Sequence, residues 1–314
     1  MILATSFTTT SNLVLPLVDG ISQGCAYGLL GLGLVLLYKS NRIFNFAQGE
    51  FATVAGLVAL MFDTGYGWLP KLPYALAIIA GILASVLFAV GTERLVIRPM
   101  FERSRLVLVV ATIGVSLLMI GLEGLAYPHP GFLRSVSDAL KVSTNFTTLD
   151  RVPVPLTAAV NLGVLVVLAL GALVFFRRTS MGSAILAISQ DPTAAKVVGI
   201  PVGRVSMVTW GLAGLLAGVA GVLLAPNLSV TPGSFTGTVL TVAFAAAVLG
   251  GMTSLPGAFV GGLAMGLVEA FANADYSFVP GLRSLQTAQS EVAVAVFLLL
   301  VLLVRPRGLF GAEA

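Results

Sequence analysis

Acidic side chains are scarce within the apolar runs of this sequence, and Glu50 is the most suggestive of them. It follows Asn45, Gln48 and Gly49 in the stretch NRIFNFAQGEFATVAG at 41–56, where polar residues sit in apolar surroundings. Glu123, Glu269 and Glu291 are the others near or inside such runs. A carboxylate is costly to bury in hydrocarbon, so it marks a candidate substrate or ion path. Two readings of Glu50 stand side by side. Either it lines or gates a path with Asn45 and Gln48, or it is an acid in the first turn of a helix, favoured there by the positive end of the helix dipole. Glu269, close to the end of an apolar run, either joins that path or reaches the membrane interface.

Catalytic chemistry has less to build on. The single histidine, His129, lies between Pro128 and Pro130 without a nearby cysteine or acidic pair, and reads as a loop residue rather than a metal ligand. The single cysteine, Cys25, sits inside an apolar run, so an intrachain disulfide is ruled out. No Gly-x-x-x-x-Gly-Lys-Ser/Thr phosphate loop occurs, and no residue set has catalytic spacing. The expectation is a protein that is not an enzyme and holds no metal or cofactor of its own.

The elements that position these residues follow from composition. The chain has 314 residues, 57% apolar and 10% charged, with mean hydropathy +1.02. A soluble domain carries about a quarter charged residues. A bilayer-spanning helix needs roughly 20 mainly apolar residues, and about nine such runs consume most of the chain. They fall near 13–38, 50–67, 73–93, 106–126, 155–176, 205–225, 238–252, 257–272 and 290–304. The predicted fold is all-α: one polytopic transmembrane domain, 1–314, with about 8–9 transmembrane helices, some short, broken or re-entrant. The first run is too long for a signal-peptide core and no basic residue precedes it, so it is read as a true first span.

Charge predicts the orientation. Twelve of the 17 basic residues fall in loops on one side, among them Arg94, Arg98, Arg177, Arg178 and Lys196, and five on the other. Basic residues near span ends favour the cytoplasm, which places the N-terminus outside and the C-terminus inside. The scatter of these residues at span ends, with a net charge of only +4, does not suggest nucleic acid. On this model 127–154 is the largest external loop and 177–204 the largest cytoplasmic one.

Two segments are irregular: 41–56, and 226–257 with Pro226, Pro232, Pro256 and many glycines. Gly- and Pro-interrupted segments in both halves of a membrane protein point to a translocation path. Whether 50–67 and 238–272 cross fully or re-enter stays open. Small residues recur four apart at Gly24/Gly28, Gly214/Gly218, Gly257/Gly261 and Gly262/Gly266. That spacing permits close helix packing, within the subunit or across a dimer.

The loop from Arg177 to Arg204 reads as two short helices meeting at an elbow. Ser180 caps the first, Asp191 caps the second with Pro192 in the tolerated first position, and Gly199 stops it. Gly182, Ala184 and Ala195 are its small residues; Ile185, Ile188, Val197 and Val198 are its apolar contacts. Such an elbow lies on the membrane surface or fits a partner's groove. Only Lys196 lies within 180–199, and one basic residue contributes about 1 kcal/mol on anionic lipid. Burying an Ile or Val side chain is worth roughly 1.5–3 kcal/mol, which favours a protein partner.

Taken together, these residues resemble a known family. Asn45-Phe-Ala-Gln-Gly-Glu50 resembles the Asn-Phe-Ala-His/Gln-Gly-Glu signature of permease subunits of branched-chain amino acid ABC importers, of the Leu/Ile/Val type. Arg178-Thr-Ser-Met-Gly182 through Asp191 to Val198-Gly199-Ile200 resembles their cytoplasmic coupling loop. The segment 246–257, continuing to Gly261-Gly262 and Glu269, resembles their late Gly-rich segment, and Arg305-Pro-Arg-Gly-Leu-Phe310 their ending. The family's Gly-Arg-Ala-x-Arg-Ala is here Gly182-Ser183-Ala184-Ile185-Leu186-Ala187, without either arginine. The resemblance implies a multi-pass protein of the cytoplasmic (inner) membrane. Its partners would be two ABC ATPase subunits that bind the ATP, a second permease chain (a relative or itself) and an extracytoplasmic substrate-binding protein. Branched-chain or related amino acids are the implied substrate; urea and short-chain amide importers use similar permeases. An ion-coupled secondary transporter would also explain Glu50 and the broken segments, but not the elbow.

Overall fold

The computed structural model describes residues 2–67, 69–126, 133, 145–149, 152–274, 289–305 and 308–310. His129 and most of the 127–154 loop lie outside the described residues. The chain forms α1 (Ile2–Asn41), α2 (Gln48–Thr64), α3 (Tyr74–Thr92) and α4 (Arg105–Ala126). An antiparallel hairpin follows, β1 (Asn145–Leu149) paired with β2 (Val152–Pro155). Then come α5 (Leu156–Arg178), α6 (Ser180–Gln190), α7 (Pro192–Val197), α8 (Val202–Leu224), α9 (Leu240–Gly250), α10 (Leu255–Asn273) and α11 (Gln289–Val304). A π turn, Glu93–Ile97, extends α3, and a second, Phe235–Val239, leads into α9.

Among the described residues six helices are long and apolar enough to cross a membrane, within α1, α3, α4, α5, α8 and α10. Two shorter apolar helices, Phe235–Gly250 and Val292–Val304, and the 17-residue α2 account for the other three predicted runs. The protein is an all-α polytopic membrane protein, with the hairpin as a small addition between α4 and α5. The hairpin joins the start of α5 and the elbow its end, so the two lie at opposite ends of the bundle.

Helix α2 is the centre. It is buried on all faces along its first two turns and beyond, from Gln48 to Leu57, with the polar Gln48, Glu50 and Thr53 included. Helices α1 and α10 cross antiparallel through glycine: Gly20 faces Leu267, Gly24 faces Gly262 and Leu263, and Gly31 faces Ala258. A Cβ on Gly24 would lie 2.9 Å from the Gly262 carbonyl oxygen. Gly214 and Gly218 admit Ala89 and Ser85 of α3, where the Ser85 hydroxyl donates to the Gly214 carbonyl at 2.7 Å. Gly257 and Gly261 meet Gly250 and Ala246 of α9. All four small-residue pairs therefore pack inside the subunit, where van der Waals contact must replace the hydrophobic drive that lipid removes.

Candidate functional site

Two interrupted segments meet deep in the bundle. The first begins where α1 ends. Residues 43–47 run back along α4, with Phe44 and Phe46 against Phe244 of α9, and α2 starts only at Gln48. The Gln48 amide donates to the carbonyl of Ala213, midway along α8, at 3.0 Å. The exposed backbone here finds side-chain partners, as hydrocarbon demands. Thr112 Oγ1 accepts the Phe46 N–H at 3.2 Å, and Asn45 Oδ1 accepts the Ala47 N–H at 3.0 Å. Asn45 Nδ2 in turn donates to Gln48 Oε1 at 3.1 Å. Asn45, Gln48 and Glu50 are all fully buried.

Glu50, in the first turn of α2, reaches across to α4. The Ser116 hydroxyl lies 3.5 Å from Glu50 Oε1, and the carboxyl group also faces Glu123, Thr53 and Thr236. Glu123 Oε2 accepts the Gly233 N–H at 3.1 Å. Glu50 Oε2 and Glu123 Oε1 have no hydrogen-bond donor among the described residues, and Thr236 Oγ1 lies within reach of Glu50 without a well-aligned bond. Glu50 thus has both the helix N-terminus at its back and a cross-helix acid in front of it.

The second interrupted segment leaves α8 at Leu224 and returns inward through the Phe235–Val239 π turn. Its Thr236 packs on Gly49 so closely that a Cβ on Gly49 would lie 2.7 Å from the Thr236 Cα. On the other side of the turn, Gly237, Thr238 and Thr241 are exposed and open into a cavity of about 580 Å³. Val242, Phe244, Ala245 and Val248 of α9, Glu269 of α10, and Val294, Ala295 and Leu298 of α11 complete its wall. Glu269 also contacts the Tyr27 hydroxyl of α1. Phe244 continues the wall into an aromatic cluster, 5.2 Å from the Phe46 ring and 6.0 Å from Phe44, which stacks on Tyr38. The structure therefore separates the four acid and amide candidates: Asn45, Gln48 and Glu50 inside the subunit, Glu269 in an open cavity.

The elbow forms as two helices, with one change of cap. Thr179, not Ser180, accepts the first turn of α6, from the Gly182 N–H at 3.0 Å. Asp191 Oδ1 accepts the Thr193 and Ala194 N–H groups at 2.8 and 3.0 Å. Gly199, at φ 83°, closes α7: its N–H donates to the Lys196 carbonyl and that of Ile200 to Ala195, both at 3.0 Å, a Schellman stop. Ile185, Ile188 and Ala195 are buried with Leu36 and Val205, against Phe175, Phe176 and Leu255. Ala184 packs on the same cluster. Gly182 lies directly on the backbone of Phe175 and Phe176. Gly182, Ile185 and Ile188 were expected to meet a partner; they face the protein's own spans because α6 folds back under α5. The exposed side of the elbow is at the end of α7, where Val197 and the following Val198 are 84% and 75% accessible.

Residues 17–305 match a family model described as the permease component of the branched-chain amino acid transport system. The chain belongs to this family. It is 30% identical over 311 residues to the high-affinity branched-chain amino acid transport system permease protein LivH of Escherichia coli K12, covering 93% of this chain and 94% of LivH. It is 28% identical over 302 residues to BraD of Pseudomonas aeruginosa, covering 94% of each. With the probable LivH of Methanocaldococcus jannaschii it shares 28% over 290 residues, 91% of this chain and 88% of that one. The fold, though at 18% identity nothing more, is shared with PsaBC from Streptococcus pneumoniae in complex with Fab, at TM-score 0.51 over 98% and 97% of the two chains. This permease is thus a transport component rather than a member of an enzyme class, and it works as one part of a multi-component system.

Ser116 and Thr236 are the members of the site that the sequence reading left out, and Glu123 was named there only among the acids near or inside apolar runs. Thr112, Ser116 and Glu123 lie four and seven residues apart on one face of an otherwise apolar α4, a helical polar stripe visible in the sequence. Nothing local marks Thr236, because its role depends on the return path of the chain.

Proposed function

We propose that this permease is the membrane-spanning subunit of an ABC importer for branched-chain amino acids, and that the cavity between α9, α10 and α11 is its substrate path. The observation that carries the reading is the chemistry of that cavity. Val242, Val248, Val294 and Leu298 suit an aliphatic side chain, Thr238 and Thr241 supply hydroxyls, and Glu269 supplies the carboxylate an amino acid's ammonium group requires. A largely apolar wall of this kind fits leucine, isoleucine or valine better than urea or a short amide.

Asn45, Gln48 and Glu50 act on this path from behind. They fix the start of α2, and Glu50 and Gly49 bear on Thr236, whose turn carries Gly237 and Thr238 of the wall. Glu50 is then a gate residue that never touches substrate. A second permease chain, a relative or a copy, closes the open side of the cavity. A substrate-binding protein delivers from the hairpin end, which is the outer face, while two ATPases bind the elbow end through Val197 and Val198. The N-terminus is outside and the C-terminus cytoplasmic. Reconstitution with the ATPase and binding protein tests the whole reading: leucine uptake driven by internal ATP and lost in Glu269→Gln supports it, whereas uptake that an uncoupler abolishes at constant ATP refutes it.

A further inference from the structure

Arg42 stands between the elbow and the interrupted start of α2. It is the one non-glycine residue with positive φ, 55°, among the described residues. L side chains adopt that conformation only when the surroundings over-determine it, and such residues cluster at functional switches. Here the surroundings are specific. The Arg42 guanidinium Nη2 donates to the Ser189 carbonyl at 2.7 Å. Ser189 lies in the last turn of α6, where carbonyl groups lack helical partners and the dipole favours a cation. Next to it, the Asn41 amide donates to the Ser206 hydroxyl of α8 at 3.2 Å. Immediately after Arg42 the chain turns inward: Ile43 is buried, and Asn45, Gln48 and Glu50 follow within eight residues.

We infer that Arg42 is the positioning residue that transmits movement of the elbow to the buried start of α2, and through Gly49 and Thr236 to the wall of the path. The inference rests on the elbow being the ATPase-facing element. Arg42 holds the end of α6 directly, and its left-handed backbone sets the direction in which residues 43–47 enter the bundle. Displacing α6 therefore pulls on the short segment that leads to Asn45 and Gln48. The bond is direct, charge-assisted and short, at the exposed end of α6.

The test compares Arg42→Gly with Arg42→Lys in the full complex reconstituted with ATPase and binding protein. Glycine keeps the positive φ at no steric cost and removes the side chain, guanidinium included. Arg42→Gly should assemble at normal yield, melt at the wild-type temperature and hydrolyse ATP at the basal rate. Its uptake per ATP should fall about fivefold, the scale of one solvent-exposed charged contact. Arg42→Lys, which can still donate to Ser189, should recover part of that coupling. Normal uptake per ATP in Arg42→Gly would overturn the inference. So would a loss of uptake that merely tracks lost assembly or a lowered melting temperature, since that is what a structural helix cap would give. If the wild-type complex itself fails to couple uptake to ATP, the proposed function fails instead, so the two failures are distinguishable.

Discussion

Gly49 and Thr236 touch backbone to backbone where the two interrupted segments meet, with room for no Cβ between them. The contact joins a helix start to a π turn, next to the place where Glu50 of α2 faces Glu123 of α4. Gly49→Ala should therefore push the turn outward. An overpacked site of this kind costs about 1–3 kcal/mol. Thermal unfolding of the purified permease in lipid discs should show a lowered melting temperature, with uptake reduced beyond what the loss of folded protein explains. An unchanged melting temperature together with unchanged uptake would mean the close approach is dispensable.

Glu123 supplies the acceptor for the Gly233 N–H, which holds the loop ahead of the π turn. Glu123→Leu leaves that half-buried donor unpaired, at a cost of about 1 kcal/mol. Glu123→Gln keeps an acceptor oxygen in place and should lose much less. Hydrogen exchange at 231–236 should accelerate in the leucine variant and stay near wild type in the glutamine variant. Equal protection in both would show that Gly233 has another acceptor.

The elbow divides into an inner and an outer face, and substitutions should divide with it. Gly182→Ala presses on the backbone of Phe175 and Phe176, so it should lower the stability of the permease itself. Asp191→Ala should cost about 1 kcal/mol through loss of the α7 cap. Val197→Asp combined with Val198→Asp should leave the permease folded, because both side chains are exposed. It should nevertheless lose the ATPase on co-purification, since each valine contributes roughly 1.5–3 kcal/mol when a partner buries it. Normal ATPase recovery with the double variant would move the docking site elsewhere.

Much of this was legible in the sequence, for reasons specific to each part. The spans were readable because a membrane helix needs length and apolarity and little else. The α7 cap was readable because Asp191-Pro192 is a local signal, complete within four residues. The choice of Thr179 over Ser180 was not, since two adjacent hydroxyls offer the same chemistry and the exit angle of α5 decides between them. The inward face of α6 was hidden for a different reason: Gly182, Ile185 and Ile188 mark one side of a helix, but the pattern does not say whether a partner or the protein's own spans lie against it. The pairing of Glu50 with Glu123 depends on α2 starting in mid-bundle, a consequence of tertiary packing with no local sequence signature.

Orientation can be read with single cysteines in a Cys25→Ser background. Thr64 at the end of α2 and Thr193 in α7 are both exposed and lie at opposite ends of the bundle by the alternation of the spans. An impermeant thiol reagent should label Thr64→Cys in intact cells and Thr193→Cys only after permeabilisation. The reverse pattern would invert the proposed topology.

The most direct measurement is leucine uptake into proteoliposomes that contain this permease, its ATPase, a second permease chain and the binding protein, comparing wild type with Glu269→Gln. Wild type should accumulate leucine only with ATP on the ATPase side and should be indifferent to an uncoupler. Glu269→Gln should hydrolyse ATP at the basal rate while its uptake falls about tenfold or more, the scale of one lost charged hydrogen bond. Undiminished uptake in Glu269→Gln would contradict the cavity between α9, α10 and α11 as the path.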